Sequence, residues 1–154
     1  MPDLLAGSKI RAADFPSAVY AQDTTTIADI SSTSYISGTP EVGVTFVAPT
    51  TGRVKITVGG SLRNNAANSD RVTLAPQVFV TNGGGTEVLA PTVFRGICTD
   101  GTQSADYCTY GRTTLLEGLT AGQQYYARVM HCKFGSAGTT CDVAMRDILV
   151  DPAT

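Results

Sequence analysis

The sequence predicts an all-β, jelly-roll β-sandwich, and three observations carry that prediction. From residue 22 onward, short segments rich in β-branched and aromatic residues recur, each bounded by Gly, Pro, Asn or Asp. In the clearest of them Val54, Ile56 and Val58 alternate strictly with Arg53, Lys55 and Thr57, as a half-buried strand requires. No helix-period pattern of about ten residues occurs anywhere in the chain. With 154 residues, the chain suits one domain with a closed core.

The elements follow in order. Residues 1–20 read as an N-terminal arm: Leu4, Leu5, Ile10 and Phe15 are apolar without strand or helix spacing, and Pro16 breaks any helix. Such residues on an ordered arm imply docking onto a neighbour. Residues 21–154 form the sandwich domain. Strands are predicted at Thr24–Ile27, Thr33–Ile36 and Val42–Phe46, the last closed by the turn Ala48-Pro49-Thr50-Thr51-Gly52. After the alternating strand, Gly59-Gly60 marks an end and residues 64–70 a loop. Arg71–Val80 contains Pro76, which predicts an edge strand or a bulge. Val88–Ala90 and Thr92–Ile97 flank Pro91. Beyond a loop from Cys98 to Cys108 come Thr113–Leu116, Tyr125–Cys132 and Asp142–Val150, the last changing phase between Met145 and Ile148 as a β-bulge would make it do.

Composition narrows the function. Charged residues make up 16% of the chain, below the ~25% usual for globular domains, and neutral hydrogen-bonding residues replace them. Such faces suit packing against other proteins; Tyr126 and Met130 are candidates for subunit contact. A net charge of -2 argues against nucleic acid, which needs a basic patch. No run approaches the ~20 apolar residues of a membrane span. The first residues lack the basic and apolar regions of a secretory signal, so synthesis in the cytoplasm is expected.

Four cysteines fall in two close pairs, and local disulfides Cys98–Cys108 and Cys132–Cys141 are the simplest arrangement. Other pairings, or free thiols, remain open. Zinc would need closer Cys spacing or more than the single histidine present, so no metal or cofactor is expected. That histidine, His131, adjoins Cys132 in a strand, where the two point to opposite faces; a structural or interface role is expected, not catalysis. Asp100, Asp106, Tyr107 and Tyr110 lie in or beside the first cysteine loop and form a candidate receptor loop, one that could touch a sugar. An acid pair Asp100/Asp106 in a hydrolase is the rival there, but no catalytic residues are assigned.

Two stretches carry a family resemblance. Val44-Thr45-Phe46-Val47-Ala48-Pro49-Thr50-Thr51-Gly52 resembles the F-x-A-P-x-x-G signature of C1q-like and tumour-necrosis-factor-like jelly rolls, and Gly118-Leu119-Thr120-Ala121-Gly122-Gln123-Gln124-Tyr125 resembles a late-strand entry in the same fold. The order of blocks, from Leu4–Ala12 through Arg71–Pro76 to Met145–Pro152, is similar to small proteins of actinobacterial tailed phages and prophages, usually taken as minor tail or other virion proteins. The resemblance implies a homotrimer on the virion near the tail tip, docked to other virion proteins through the arm and possessing no catalytic residues. A host-surface glycan is a candidate partner. Release at lysis would take the cysteines out of a reducing compartment. A capsid decoration or head-fibre protein and a carbohydrate-binding module are the alternatives.

Overall fold

The computed structural model describes residues 16–67, 70–99 and 106–154. The arm residues Leu4, Leu5, Ile10 and Phe15, and Asp100 of the candidate loop, lie outside them.

Eleven strands and one 3-10 turn make up the described fold: β1 (Val19–Asp23), β2 (Ile27–Ile30), β3 (Ile36–Ser37), β4 (Gly43–Val47), β5 (Val54–Asn64), β6 (Arg71–Val80), β7 (Glu87–Leu89), the turn Val93–Arg95, β8 (Ile97–Cys98), β9 (Cys108–Leu116), β10 (Gln124–Phe134) and β11 (Cys141–Pro152). They build two antiparallel sheets. The first runs β1-β11-β5-β9, with β2 also on β11; the second runs β3-β10-β6-β7, with β4 also on β10 and β8 also on β6. Taking β1/β2, β3/β4 and β7/β8 as interrupted single strands leaves eight, in orders 1-8-3-6 and 2-7-4-5. That is a jelly roll.

Alternation decides which side chains meet between the sheets. Val54, Ile56, Val58 and Leu62 of β5 face Val72, Leu74 and Val78 of β6, joined by Tyr125, Ala127 and Val129 of β10 and Val143, Ile148 and Val150 of β11. Gly60 lies opposite Leu74: a Cβ there would come within 2.4 Å of a Leu74 methyl, so the small residue makes room for the large one.

Three expectations are corrected. Strand β1 starts at Val19, so Val19 and Tyr20 of the expected arm belong to the sandwich. Strand β6 is central, not an edge, with β10 on one flank and β7 and β8 on the other; the bulge offered as the alternative is present, as a register shift against β7 between Val78 and Phe79. Pro76 is tolerated because it falls in the gap between those two short partners, β8 pairing Thr73 and Leu74 and β7 pairing Val78 and Phe79. The bulge of β11 sits between Val143 and Met145, earlier than the phase change suggested. Its effect is to turn Arg146 into the interior, on the face of Ile148 and Val150.

Candidate functional site

At one end of the sandwich Asn64, Asp70, Thr99, Lys133, Ala137 and Thr139 meet in a polar cluster. Asp70 is fully buried, and its carboxylate accepts hydrogen bonds from Lys133 Nζ (3.0 Å), the Ala137 amide (2.9 Å), and the Thr139 amide and hydroxyl (2.9 and 2.8 Å). Burial alone would raise its pKa; the bonds from Thr139, Ala137 and Lys133 overcome that and hold it well below the usual carboxylate range. Asn64 Nδ2 donates to the Asp70 carbonyl (2.6 Å), and the Thr99 hydroxyl donates to Asn64 Oδ1 (2.8 Å). Beside this cluster Asp142 accepts from Arg63, the Asp29 amide and Asn65, and its carboxyl is lowered against the opposing effect of burial.

The candidate receptor loop divides here. Tyr107 is 39% exposed, with the Arg63 guanidinium 4.6 Å from its ring centre, and Asp106 is exposed. Tyr110, by contrast, is a β9 residue packed against the core. It is not a loop residue.

All four cysteines are free thiols, so neither expected bridge is present. Register supplies the reason. Cys98 pairs with Thr73, and Thr73 with Cys132, which puts both cysteines on the outer face of the second sheet. Cys108 pairs with Leu62 and Cys141 with Asn64, and both point inward from the first sheet. Each expected pair therefore combines an outward with an inward side chain from opposite layers, which disulfide geometry does not allow. Burial pushes the thiols of Cys132 and Cys141 up to about 11, which keeps them protonated and unreactive at neutral pH.

A second polar group lies at the lateral edge between β2 and β3. Arg146 is fully buried and donates to Asp23 Oδ1 (2.8 Å) and to the Pro40 carbonyl (3.2 Å). Gly38 leaves the space it occupies; a Cβ at that position would collide with Arg146 Nη1. His131 faces inward from β10, is 3% exposed, and lines an open cleft of ≈ 380 Å³ with Thr26, Ile27, Ala28, Ile36, Ser37, Gly38 and Thr39. Burial first, and Arg146 second, lower its pKa to about 4, so the imidazole is neutral at pH 7. Sequence reasoning missed Arg146, Asp23, Asp70 and Lys133. A signal existed for two of them: Lys133 continues the inward series Tyr125, Ala127, Val129, His131, and Arg146 leads Ile148 and Val150.

The outer faces differ. On the second sheet Arg128 lies 5.0 Å over the Phe79 ring and bonds Gln77 and Glu41, while the Tyr126 hydroxyl donates to Glu41. Met130 is only 5% exposed. The expected contact pair Tyr126 and Met130 is thus committed inside its own subunit. On the first sheet, hydroxyl pairs Thr57–Thr113 and Ser61–Thr109, each 2.7 Å apart, flank the paired glycines Gly59 and Gly111. Exposed Tyr20 and Leu115 share that face with Asp147, whose carboxylate lies over Gly59, and with Lys55, the partner of Leu115; Phe94, 82% exposed, projects from the turn Val93–Arg95.

Among the described residues, no group of three or more His, Cys, Asp or Glu could hold a metal ion, and no helix is long and apolar enough to cross a membrane. No family model and no curated protein matches the sequence. Solved structures do. A chain in the structure of infectious bursal disease virus, Gx strain, is similar over 86% of this chain and 31% of its own length, with a TM-score of 0.51 and 10% identity. The Gt strain gives a TM-score of 0.50 at 10% identity, over 90% of this chain and 32% of that one. This chain thus spans about a third of the length of the structures it matches. At such identity the likeness is one of fold: both share the jelly roll.

Proposed function

We propose that this chain is a non-catalytic structural protein of a virus particle: a homotrimeric minor tail, fibre or tail-tip component of a tailed phage. In this reading it attaches to the particle through its N-terminal arm and turns the loop end toward the host surface. One observation carries the assembly half, namely the exposure of Tyr20 and Leu115 on the outer face of the first sheet and of Phe94 on the turn Val93–Arg95. An aromatic left 82% in water costs solubility unless a neighbour covers it. The opposite outer face is closed by its own charged network, which leaves one face for a partner. The family resemblance supports the trimer and the tail.

The absence of turnover is part of the proposal. It is supported by the burial and neutrality of His131 and by a cleft lining in which, among the described residues, no carboxylate appears. A second reading, a capsid or decoration component, is prompted by the same fold in infectious bursal disease virus.

Light scattering of the whole protein tests the assembly, with a trimer mass expected and a monomer at high concentration overturning it. Phe94→Ser should shift the mass toward monomer without unfolding the chain. Labelled antibody on intact particles separates tail from head, and label on neither would end the virion reading.

A further inference from the structure

The cleft between β2 and β3 has chemistry that neither assembly nor folding uses. Its lining includes His131, nine-tenths and more buried, whose Nδ1 has no hydrogen-bond partner and is itself sealed from solvent. Its walls carry the hydroxyl residues Thr26, Ser37 and Thr39 and the apolar side chains Ile27 and Ile36. A volume of ≈ 380 Å³ falls within the ~300–1,000 Å³ of small-molecule sites. We propose that this cleft binds a neutral polyhydroxylated ligand, one sugar ring of a host-surface glycan, hydrogen-bonded by the hydroxyl residues Thr26, Ser37 and Thr39 beside the His131 ring.

Charge selects this class of ligand over others. Arg146, beside Gly38 of the lining, has its charge matched by Asp23 and its Nη1 bonded to the Pro40 carbonyl, and its unpartnered Nε is sealed from solvent, so an anion meets no free cation. The lining residues hold no carboxylate for a cation. A sugar hydroxyl both donates and accepts, which suits the three hydroxyl residues of the lining. Ile27 and Ile36 can pack against the C–H face of the ring. Without an aromatic in the lining, binding should be weak and should gain from the several copies in an assembly.

The inference rests on the attachment half of the proposed function and moves the sugar contact from the Tyr107 loop to the lateral edge. His131 is the only histidine, so its imidazole nitrogens give a single NMR reporter in the intact protein. D-glucose, D-galactose and D-mannose are titrated in turn, with acetate and inorganic phosphate as anions. A saturable shift with at least one sugar, and none with the anions, is expected. The double variant Ser37→Ala/Thr39→Val should weaken that binding about tenfold, whereas Tyr107→Ala should leave it unchanged. The site is overturned if no sugar moves the His131 signals, if only the anions do, or if the wall variant binds as wild type. Adhesion of the whole protein to host cells is measured beside it. Adhesion with a silent His131 ends this inference alone, whereas a sugar shift without adhesion keeps the cleft and ends the attachment reading.

Discussion

The two ends of the sandwich are closed by different chemistry. At the turn end the connections are tight and tied backbone to backbone. The Ala48 amide donates to the Gln123 carbonyl and the Gly122 amide to the Ala48 carbonyl (2.9 Å each), the Leu119 amide donates to the Gly52 carbonyl (3.0 Å), and the Ala153 amide donates to the Arg53 carbonyl (3.0 Å). At the loop end, longer connections converge on two carboxylates, Asp70 and Asp142, which collect amide, hydroxyl and cationic donors from distant parts of the chain. Main-chain ties depend little on side-chain identity. A carboxylate hub depends on a single residue, but it lets long loops be held and still vary at their tips. The loop end is therefore also the vulnerable end of the molecule.

That contrast can be attacked experimentally, and the largest effect should come from Asp70→Asn. It removes the charge that Lys133 needs in a buried site and one acceptor shared by three donors, so thermal melting should fall more than for any other variant here. Hydrogen exchange should quicken first at Ala137 and Thr139, and last at Ala48 and Gly122.

Acid should act in two stages. His131 binds its proton only near pH 4 when folded but near 6.5 when unfolded, so stability is unaffected above pH 6.5 and declines as pH falls from there to about 4. The total is roughly 2 to 3 kcal/mol after allowing for solvent screening. Asp70 and Asp142 are lowered, so their contribution is complete above the unfolded value of ~3.9 and is lost below it. Denaturant melts across pH should show both stages, and His131→Gln should erase only the upper one.

At the turn end, Gly52→Ala tests the main-chain ties. Gly52 has φ +64, and an added Cβ would stand 2.5 Å from the Leu119 carbonyl oxygen. A cost of about 1–2 kcal/mol is expected, read from urea melts, without change at the loop end. The smallest effect on stability belongs to Tyr107→Ala. It removes an exposed cation–π contact worth about 0.5–1 kcal/mol, so any larger loss of host-cell adhesion would be a direct role in attachment.

The fold was largely legible because its strands announce themselves singly. The alternation of Val54, Ile56 and Val58 needs no partner to be recognised. What depends on pairing was not legible. Cys98 and Cys108 are close in sequence, yet only the registers Cys98 with Thr73 and Cys108 with Leu62 reveal that they face opposite ways. The His131 cleft draws on residues 26–28, 36–39 and 131, whose meeting is a property of sheet order. Tyr110 looked like a loop residue because β9 begins at Cys108, before its β-branched run. Buried Arg146 could have been found by following the inward face of β11 back past its bulge.

Between β7 and β8 the chain leaves the flank of β6, and Phe94 rides on that excursion. Because Pro76 offers no amide there, no ladder hydrogen bond ties the excursion to the sheet at that point. Exchanges in it leave the pairing of β6 with β10 untouched except at Gly96, where a Cβ would stand 2.1 Å from the Leu74 carbonyl oxygen. Natural variation should therefore collect in residues 90–95, where a new side chain alters the surface without asking the two sheets to refold.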